Sequence, residues 1–358
     1  MPFREGNALS SAEAAAVRYL SPPVPLGEPV AVAPGIFWLR LPLPFALDHV
    51  NVWLMDDGDD GWTLIDAGVR DERCIAIWQR LLDGFLAEKP IRRIIATHFH
   101  PDHVGLCGWL VERLDAAFFA SRIEWLQARL LAIDTTDGYV RAGRSFDEAA
   151  GLPAEQIAER FARGNRYRLN VTVPPAAFTR LVAGDTLEMA GTTWRVMIGE
   201  GHSPEMLTFW SAERDILIAA DQILPRISPV VAVWPPVPDA DPLAEFLGSL
   251  QQYLELPATT LVLPSHDAPY HGLHERVRAL VQHHEQRLDL TLRACAEPAT
   301  VVEVMGKLFR RKFDLHQLGF ALGETMAHIN HLLGRERLTV VGRRGAAPLF
   351  QRREAHGL

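Results

Sequence analysis

The segment from Thr97 to Gly105 reads THFHPDHVG and places three imidazoles and one carboxylate within six residues. It follows the mainly apolar run Ile91–Ala96, and a proline and an apolar helical pattern come after its first histidines. This order is typical of a buried β-strand that ends in a tight loop and leads into a helix. Imidazole and carboxylate groups at a strand's carboxyl end suit Zn, Fe or Mn. Four such groups exceed what one tetrahedral ion normally takes from a protein, so the spacing indicates two metal ions.

Length and composition limit the class of protein. A chain of 358 residues with 48% apolar and 22% charged residues is typical of a soluble globular protein with one large and one small domain. The net charge of −8 argues against a surface that binds nucleic acid all over. Three widely separated cysteines suggest no disulfide framework, which favours a reducing compartment. We find no secretory signal and no run of about 18 apolar residues, and therefore expect a cytoplasmic protein without membrane contact.

Three further candidate ligands each follow a predicted strand: His202 after Thr193–Ile198, Asp221 after Asp215–Ala220, and His266 after Thr260–Leu263. A single histidine after a strand is more often a packing or surface residue than a ligand. Five histidines and two aspartates in the same context are a much more specific signal.

Hydrophobic periodicity predicts three parts of the chain. Residues 1–28 form a loose N-terminal lead with a short Ala-rich helix over Ser11–Leu20, residues 29–296 form the large domain that carries the candidate ligands, and residues 297–358 form a small C-terminal domain. Within the large domain, residues 121–180 are predicted to be a helical insertion that forms a lid. The C-terminal part is predicted to contain three helices and then a strand pair around Gly342–Gly345, which resembles the wing of a winged helix.

The complete pattern HxHxDH, with a later His, Asp and His, resembles the signature of the metallo-β-lactamase superfamily over about Val30 to Leu292. The resemblance implies an α/β fold, a four-layer αββα sandwich of two mixed sheets between helices. We expect this sandwich to carry the helical lid insertion and the winged-helix-like C-terminal domain.

The resemblance also implies roles for individual residues. It assigns seven metal ligands: His98, His100 and His202 for one ion, Asp102, His103 and His266 for the second, and Asp221 bridging both. Asp66, within the sequence LIDAG, is implied to orient the His-rich loop without binding metal. Two ions about 3.5–4 Å apart can share a hydroxide and present it to an electrophile. Asp102 and His103 are therefore the candidate catalytic residues around a metal-bridged hydroxide, with Zn as the first choice of metal and Fe or Mn as alternatives.

Several residues bear on the substrate. Asp221 argues against a zinc β-lactamase, because those enzymes lack the bridging carboxylate. The run Gly201–Glu205 resembles the corresponding loop of glyoxalase II, but Met206 stands where a histidine is common there. Apolar residues of the predicted lid, such as Trp125, Leu126 and Phe178, favour an acyl substrate over RNA. We therefore expect attack on an ester, thioester or lactone carbonyl of a small molecule.

Two other activities stay open. A phosphodiesterase or endoribonuclease would use the same metals together with the C-terminal domain, which has ten Lys and Arg against six Asp and Glu from Glu297 to Leu358. The same basic residues also fit a homo-oligomer interface, which we favour over nucleic acid. A mononuclear iron enzyme resembling persulfide dioxygenases would use His98, His202 and Asp221 as a facial triad.

Overall fold

The computed structural model describes residues 17–20, 24–45, 47–309 and 313–354, and at residue 316 the backbone alone. Internal contacts divide the chain into two units. The first contains the described residues up to Ile133, together with Arg166–Pro229 and Leu250–Val277. The second contains Asp134–Asn165, Val230–Ser249 and the described residues from Arg278 onward. Part of the predicted lid thus groups with C-terminal segments, and the domain boundaries at residues 28 and 296 stay a prediction.

Within the described residues, the first unit contains two seven-stranded sheets. The strands of one sheet, in their spatial order, are β2 Val30–Ala33, β3 Ile36–Pro42, β4 His49–Asp56, β5 Trp62–Ile65, β6 Ile91–Ile95, β7 Ala117–Ala120 and β8 Thr179–Arg180. The strands of the other are β1 Arg18–Tyr19, β9 Thr186–Met189, β10 Thr192–Gly199, β11 Met206–Ser211, β12 Ile216–Ala220, β13 Leu261–Pro264 and β14 Tyr270–His271. Their order in the second sheet is β1-β14-β13-β12-β11-β10-β9. Both sheets are mixed, since β5 to β8 run parallel and so do β12 and β13.

The period of two along β3 and β4 explains how the first sheet buries both faces. Trp38 and Trp53 point into the core shared with the second sheet, where their rings stack with centroids 6.4 Å apart. Their neighbours Leu39 and Val52 point to the opposite face and join the core under the helices. The two strands are therefore mainly apolar, as expected for strands covered on both sides.

Helices cover the outer face of the first sheet. The α-helices found in this unit before β8 are α1 Glu72–Asp83, α2 Pro101–Val104, α3 Cys107–Leu114 and α4 Arg122–Ile133. The side chain of Asp71 caps α1 by accepting the Arg73 N–H at 2.9 Å. Trp78 of α1 is buried against the sheet and donates its indole N–H to the Ala67 carbonyl at 2.9 Å. Together with the two sheets, this packing confirms the predicted metallo-β-lactamase-type sandwich.

The second unit is mostly helical. Its elements are α5 Asp137–Ala150, α6 Ala154–Arg160, α7 Pro242–Ser249, α8 Leu273–Ala294 from Arg278 onward, α9 Val301–Leu308, α10 Leu315–Gly334, β15 Leu338–Arg344 and β16 Ala347–Arg352. The hairpin of β15 and β16 confirms the predicted strand pair. The prediction of three helices after Pro298 is wrong, because the described residues there form two. Gly319 and Gly323 lie inside one continuous helix and do not end it.

The N-terminal lead also differs from the prediction. Residues 11–16 of the expected Ala-rich helix lie outside the described residues. Arg18 and Tyr19 form β1, which pairs antiparallel with His271 and Tyr270 of β14. The predicted helix is therefore wrong for Arg18 and Tyr19, because pairing with β14 at the edge of the sheet outweighs a weak local preference for helix. None of the helices in the described ranges combines the length and hydropathy that a bilayer-spanning segment needs.

The second unit buries a pair of histidines, His284 on α8 and His328 on α10. Their Nδ1 and Nε2 atoms, respectively, lie 3.4 Å apart, and His328 Nδ1 donates to the Glu324 carbonyl at 2.7 Å. Burial lowers the pKa of both imidazoles, to about 3 for His328, and the charge of Arg287 acts in the same direction. Both side chains are therefore neutral in the folded protein near pH 7.

We expect the free energy of unfolding to fall as pH drops below about 6.5, because the unfolded chain then binds protons that the folded chain excludes from His284 and His328. Over this range, each such histidine lowers the free energy of unfolding by about 1.4 kcal/mol for each unit by which the pH falls. His328→Gln should remove one of these contributions, and urea unfolding of both proteins between about pH 6.5 and about pH 5 measures it. Equal pH dependence in the wild type and the variant would contradict a buried neutral His328.

Candidate metal centre

Loops at the carboxyl ends of four strands bring the predicted ligands together. The loop after β6 carries four of them, and the loops after β10, β12 and β13 carry one each: His98, His100, Asp102 and His103, then His202, Asp221 and His266. Parallel pairing places the carboxyl ends of β5 and β6 at the same edge of the first sheet. It likewise places the carboxyl ends of β12 and β13 at the same edge of the second sheet. All seven side chains lie within the first unit, and every one except His100 and Asp102 is buried.

The side chains form two sets whose donor atoms could each hold a metal ion. In the first set, His98 Nε2 lies 3.0 Å from His100 Nδ1, and a donor atom of His202 lies within 4.8 Å of both. In the second set, Asp102 Oδ2 lies 3.6 Å from His103 Nε2 and 3.5 Å from His266 Nε2. Distances of about 3.3 Å are expected between atoms that share one tetrahedral ion at 2.0–2.1 Å. The donor spacing therefore fits metal ions.

The carboxylate of Asp221 lies between the two sets. Its Oδ2 atom is 3.5 Å from His202 Nε2, while Oδ1 is 3.6 Å from His103 Nε2 and 3.5 Å from His266 Nε2. Among the described residues, Asp221 Oδ1 and His103 Nε2 are buried without a hydrogen-bond partner. Buried polar atoms are rarely left unsatisfied. A cation between Asp221 Oδ1 and His103 Nε2 would give each of these atoms a partner.

The electrostatics of the site favour bound cations. Burial lowers the pKa of His98 and His100, to about 3 for His100, so these imidazoles present neutral nitrogens. Burial opposes the charge of Asp221, but His266 and His103 hold the pKa of this carboxyl well below its usual range. Burial likewise opposes the charge of His266, yet Asp221 and Asp102 raise its pKa to about 10. The carboxylates thus stabilise positive charge between them, which divalent ions supply in place of protons.

Asp66 holds the His-rich loop at two points. Its Oδ1 accepts the Thr97 N–H at 2.8 Å, and its Oδ2 accepts the Thr97 hydroxyl at 2.8 Å and the His103 Nδ1–H at 2.7 Å. Asp66 itself takes a left-handed backbone conformation with φ of 63°, which Asp tolerates better than most residues. Because His103 Nδ1 donates to this carboxylate, the neutral, metal-binding form of the ring has its lone pair on Nε2, which faces Asp102 and Asp221.

The same reasoning fixes two other rings. The Thr97 hydroxyl donates to Asp66, so its oxygen accepts from His98 Nδ1, which lies 3.0 Å away. His266 Nδ1 donates to the His49 carbonyl at 2.8 Å. In the neutral form that binds a metal, the far nitrogen of each of these two histidines is an acceptor directed into the site. Such outer contacts orient metal-binding imidazoles in proteins generally.

A close backbone approach requires glycine within the His-rich loop. A Cβ atom on Gly105 would lie 2.6 Å from the Gly68 carbonyl oxygen and 2.8 Å from Val69 Cα. The neighbouring Leu106 N–H donates to the same Gly68 oxygen at 3.0 Å. Glycine therefore allows the loop to pack directly on the segment that begins with Asp66.

Two residues that contact the ligand loops were not predicted from the sequence. Asn51 on β4 is fully buried and donates through Nδ2 to the carbonyls of Pro264 and Asp267, each at 2.7 Å, on either side of His266. Glu124 on α4 is buried and contacts two ligand loops through backbone N–H groups. Each is a polar residue among apolar neighbours, which marks it as unusual in the sequence. A single sequence does not show, however, which groups such a residue contacts.

Two of the apolar lid residues that were expected to favour an acyl substrate, Trp125 and Phe178, belong to the core instead. Trp125 stacks on Phe178 with ring centroids 4.4 Å apart, and both pack against the core outside the first sheet. They are therefore structural residues. Leu126 and Leu130 on α4 instead remain 47% and 60% exposed.

We expect Asp66→Asn to weaken metal binding. Asn tolerates the left-handed backbone, so the substitution removes the charge and one acceptor without imposing a new conformation. Loss of such an outer contact typically lowers metal affinity by about 10–100-fold. Elemental analysis after dialysis against a chelator would show faster metal loss than in the wild type. Unchanged metal retention would contradict the role of this carboxylate in orienting His103 and Thr97.

Comparisons with known proteins agree with this geometry. A family model described as the metallo-beta-lactamase superfamily matches residues 46–266, and one described as a metallo-beta-lactamase-like C-terminal domain matches residues 288–347. A probable metallo-hydrolase of Bacillus subtilis (strain 168), YqjP, is 24% identical over 311 residues, which cover 84% of this chain and 93% of that protein.

Two solved structures cover most of both chains. A beta-lactamase domain protein from Burkholderia ambifaria has a TM-score of 0.88 at 35% identity, covering 96% of this chain and all of that one. The metallo-beta-lactamase family protein TTHA1429 from Thermus thermophilus has a TM-score of 0.77 at 28% identity, covering 90% of this chain and all of that one. With the family match over more than half of its length, the chain belongs to the metallo-β-lactamase superfamily, whose members are generally metal-dependent hydrolases.

Proposed function

We propose that the protein is a hydrolase that holds two divalent metal ions and cleaves an ester, thioester or lactone of a small molecule. His98, His100 and His202 would hold one ion, Asp102, His103 and His266 the other, and Asp221 would contact both. Zn is our first choice of metal, with Fe or Mn as alternatives, because the donors are only imidazole and carboxylate. The observation that carries the proposal is the placement of one Asp221 oxygen toward each donor set.

When bound, a pair of divalent ions lowers the pKa of a water molecule and polarises the carbonyl oxygen of the substrate. Contacts within the chain hold the donor side chains in place, and most of these side chains are buried. The buried imidazoles of His98 and His103 are held by Thr97 and Asp66, so little reorganisation is needed when substrate binds. Asp102 and His103 are our candidates for the residues closest to the reacting atoms, since His103 Nε2 lies 3.6 Å from an oxygen of Asp102 and 3.6 Å from an oxygen of Asp221.

An acyl substrate is supported by α4. This helix contacts both loops of the first donor set through Glu124, and the side chains of Ile123, Leu126 and Leu130 on it are exposed. Exposed apolar side chains on a helix that contacts the donor loops suit a ligand with an apolar acyl part. They do not suit an RNA backbone, which calls for basic residues.

The two alternative activities have less support. A mononuclear iron enzyme with a triad of His98, His202 and Asp221 leaves the second donor set without a role. For nucleic acid, the C-terminal hairpin is basic, but Arg344 and Arg353 make ion pairs with Glu303 and Glu336. These pairs reduce the charge available for phosphates.

We propose a winged-helix-like C-terminal domain that takes part in packing or in homo-oligomer contacts, based on helices α9 and α10 followed by the β15–β16 hairpin. We also propose a cytoplasmic location. Cys74, Cys107 and Cys295 are all buried and free, as expected where thiols stay reduced.

We expect His98→Ala and Asp221→Ala each to abolish turnover and to reduce bound metal while leaving the sheets intact. Asp215→Asn is the matched control, since Asp215 precedes β12 and bonds Thr259 and Thr260 instead of the donor sets. Elemental analysis and a panel of thioesters, lactones, phosphodiesters and RNA measure both properties. Near-normal activity in either alanine variant would refute the site, and cleavage of RNA alone would refute the acyl substrate.

A further inference from the structure

A buried carboxylate joins the two loops that carry the first donor set. Glu124 lies in the first turn of α4 and is 1% exposed. Its Oε2 accepts the backbone N–H of Phe99 at 2.9 Å, and its Oε1 accepts the backbone N–H of Glu205 at 2.7 Å. Phe99 lies between His98 and His100, and Glu205 follows His202 by three residues. One side chain therefore spans the distance between both loops.

The contact is reciprocal. The side chain of Glu205 accepts the backbone N–H of Ile123 at 3.0 Å, at the start of α4, where a helix has unpaired N–H groups. Helix α4 and the loop after β10 therefore hold each other through two hydrogen bonds that involve charged groups. The Phe99 peptide is held at its other side as well, since the Tyr167 hydroxyl donates to its carbonyl oxygen.

We propose that Glu124 is a positioning residue that sets the relative placement of His98, His100 and His202 and thereby the affinity of this set for its metal ion. The inference rests on the proposed function, because it assumes that this set binds a metal. Hydrogen bonds from N–H groups to a carboxylate are stronger than those between neutral groups. Two such bonds fix three imidazoles at once, because the chain between each bond and its histidine is no longer than three residues.

Asp102 lies three residues after Phe99, but the other two donors of the second set are held independently of Glu124. His103 is held by Asp66, and the His266 loop is held by Asn51 and by the His49 carbonyl. Loss of the Glu124 carboxylate should therefore weaken the first set selectively. A general loss of stability would weaken both sets alike.

The substitution that isolates this role is Glu124→Gln. Glutamine keeps the size of the side chain but has one oxygen, so its NH₂ group must face one of the two backbone N–H groups. Burial raises the pKa of Glu124 to about 7, against the effect of the Glu205 and Phe99 N–H groups. Comparisons are therefore best made at about pH 8, where the wild-type carboxylate is ionised.

The test measures zinc affinity by competition with a chromophoric chelator in two backgrounds. In full-length His266→Ala protein the first set remains complete, and Glu124→Gln should lower its zinc affinity by about 10–100-fold. In His100→Ala protein the second set remains complete, and the same substitution should leave zinc affinity nearly unchanged. An equal loss in both backgrounds, or no loss in the first, would overturn the inference.

Two controls keep the result interpretable. Asp147→Asn removes another buried carboxylate, which pairs with Arg160 at 2.7 Å in the second unit, and should lower thermal stability without changing zinc affinity. If Glu124→Gln does not fold, Glu205→Ala removes the outer half of the same contact. This variant should lower zinc affinity in the His266→Ala background only, and an unchanged affinity there would overturn the inference. Failure of the unsubstituted protein to bind zinc, iron or manganese would instead refute the proposed function.

Discussion

The carboxylate of Asp221 faces both donor sets, and the arrangement of the surrounding loops depends on it. A buried carboxylate is costly unless positive charge or hydrogen bonds compensate it, and here the compensation comes from His103, His202 and His266. Four strand ends must meet at one place for these contacts to form. The two mixed sheets provide that meeting point, because their strands are fixed in register and those of the first sheet are covered by apolar residues on both faces.

Three of the four ligand loops have a buried polar contact outside the donor sets. Asp66 holds the loop after β6, Asn51 holds the loop after β13, and Glu124 joins the loops after β6 and β10. The backbone next to two donors is strained, since Ala220 before Asp221 and Asp267 after His266 have φ values of 46° and 67°. A residue in such a conformation costs about 1–3 kcal/mol and persists only where its surroundings enforce it. The chain therefore uses polar contacts to maintain a geometry that the backbone alone disfavours.

The sequence predicts features formed by residues that are close together along the chain, but it does not reveal contacts between distant segments. The donors of the β6 loop are recognisable because they lie within six residues, and His202, Asp221 and His266 because each follows a strand. Asn51 and Glu124 contact loops that are 213 and 81 residues away along the chain, and their polarity alone does not reveal those partners. Helix boundaries are less accurate where glycine continues a helix, as in α10, and the predicted lid contributes residues to both units. The fold is predictable because its family pattern is long, whereas the contacts that tune the site are formed only by tertiary packing.

The central claim is that seven side chains hold two ions with Asp221 between them. Its most direct test is anomalous diffraction from crystals of the full-length protein grown with zinc, recorded on both sides of the zinc absorption edge. The account predicts two anomalous peaks, one next to His98, His100 and His202 and the other next to Asp102, His103 and His266, with Asp221 in contact with both. A single peak, or peaks remote from these residues, would contradict it.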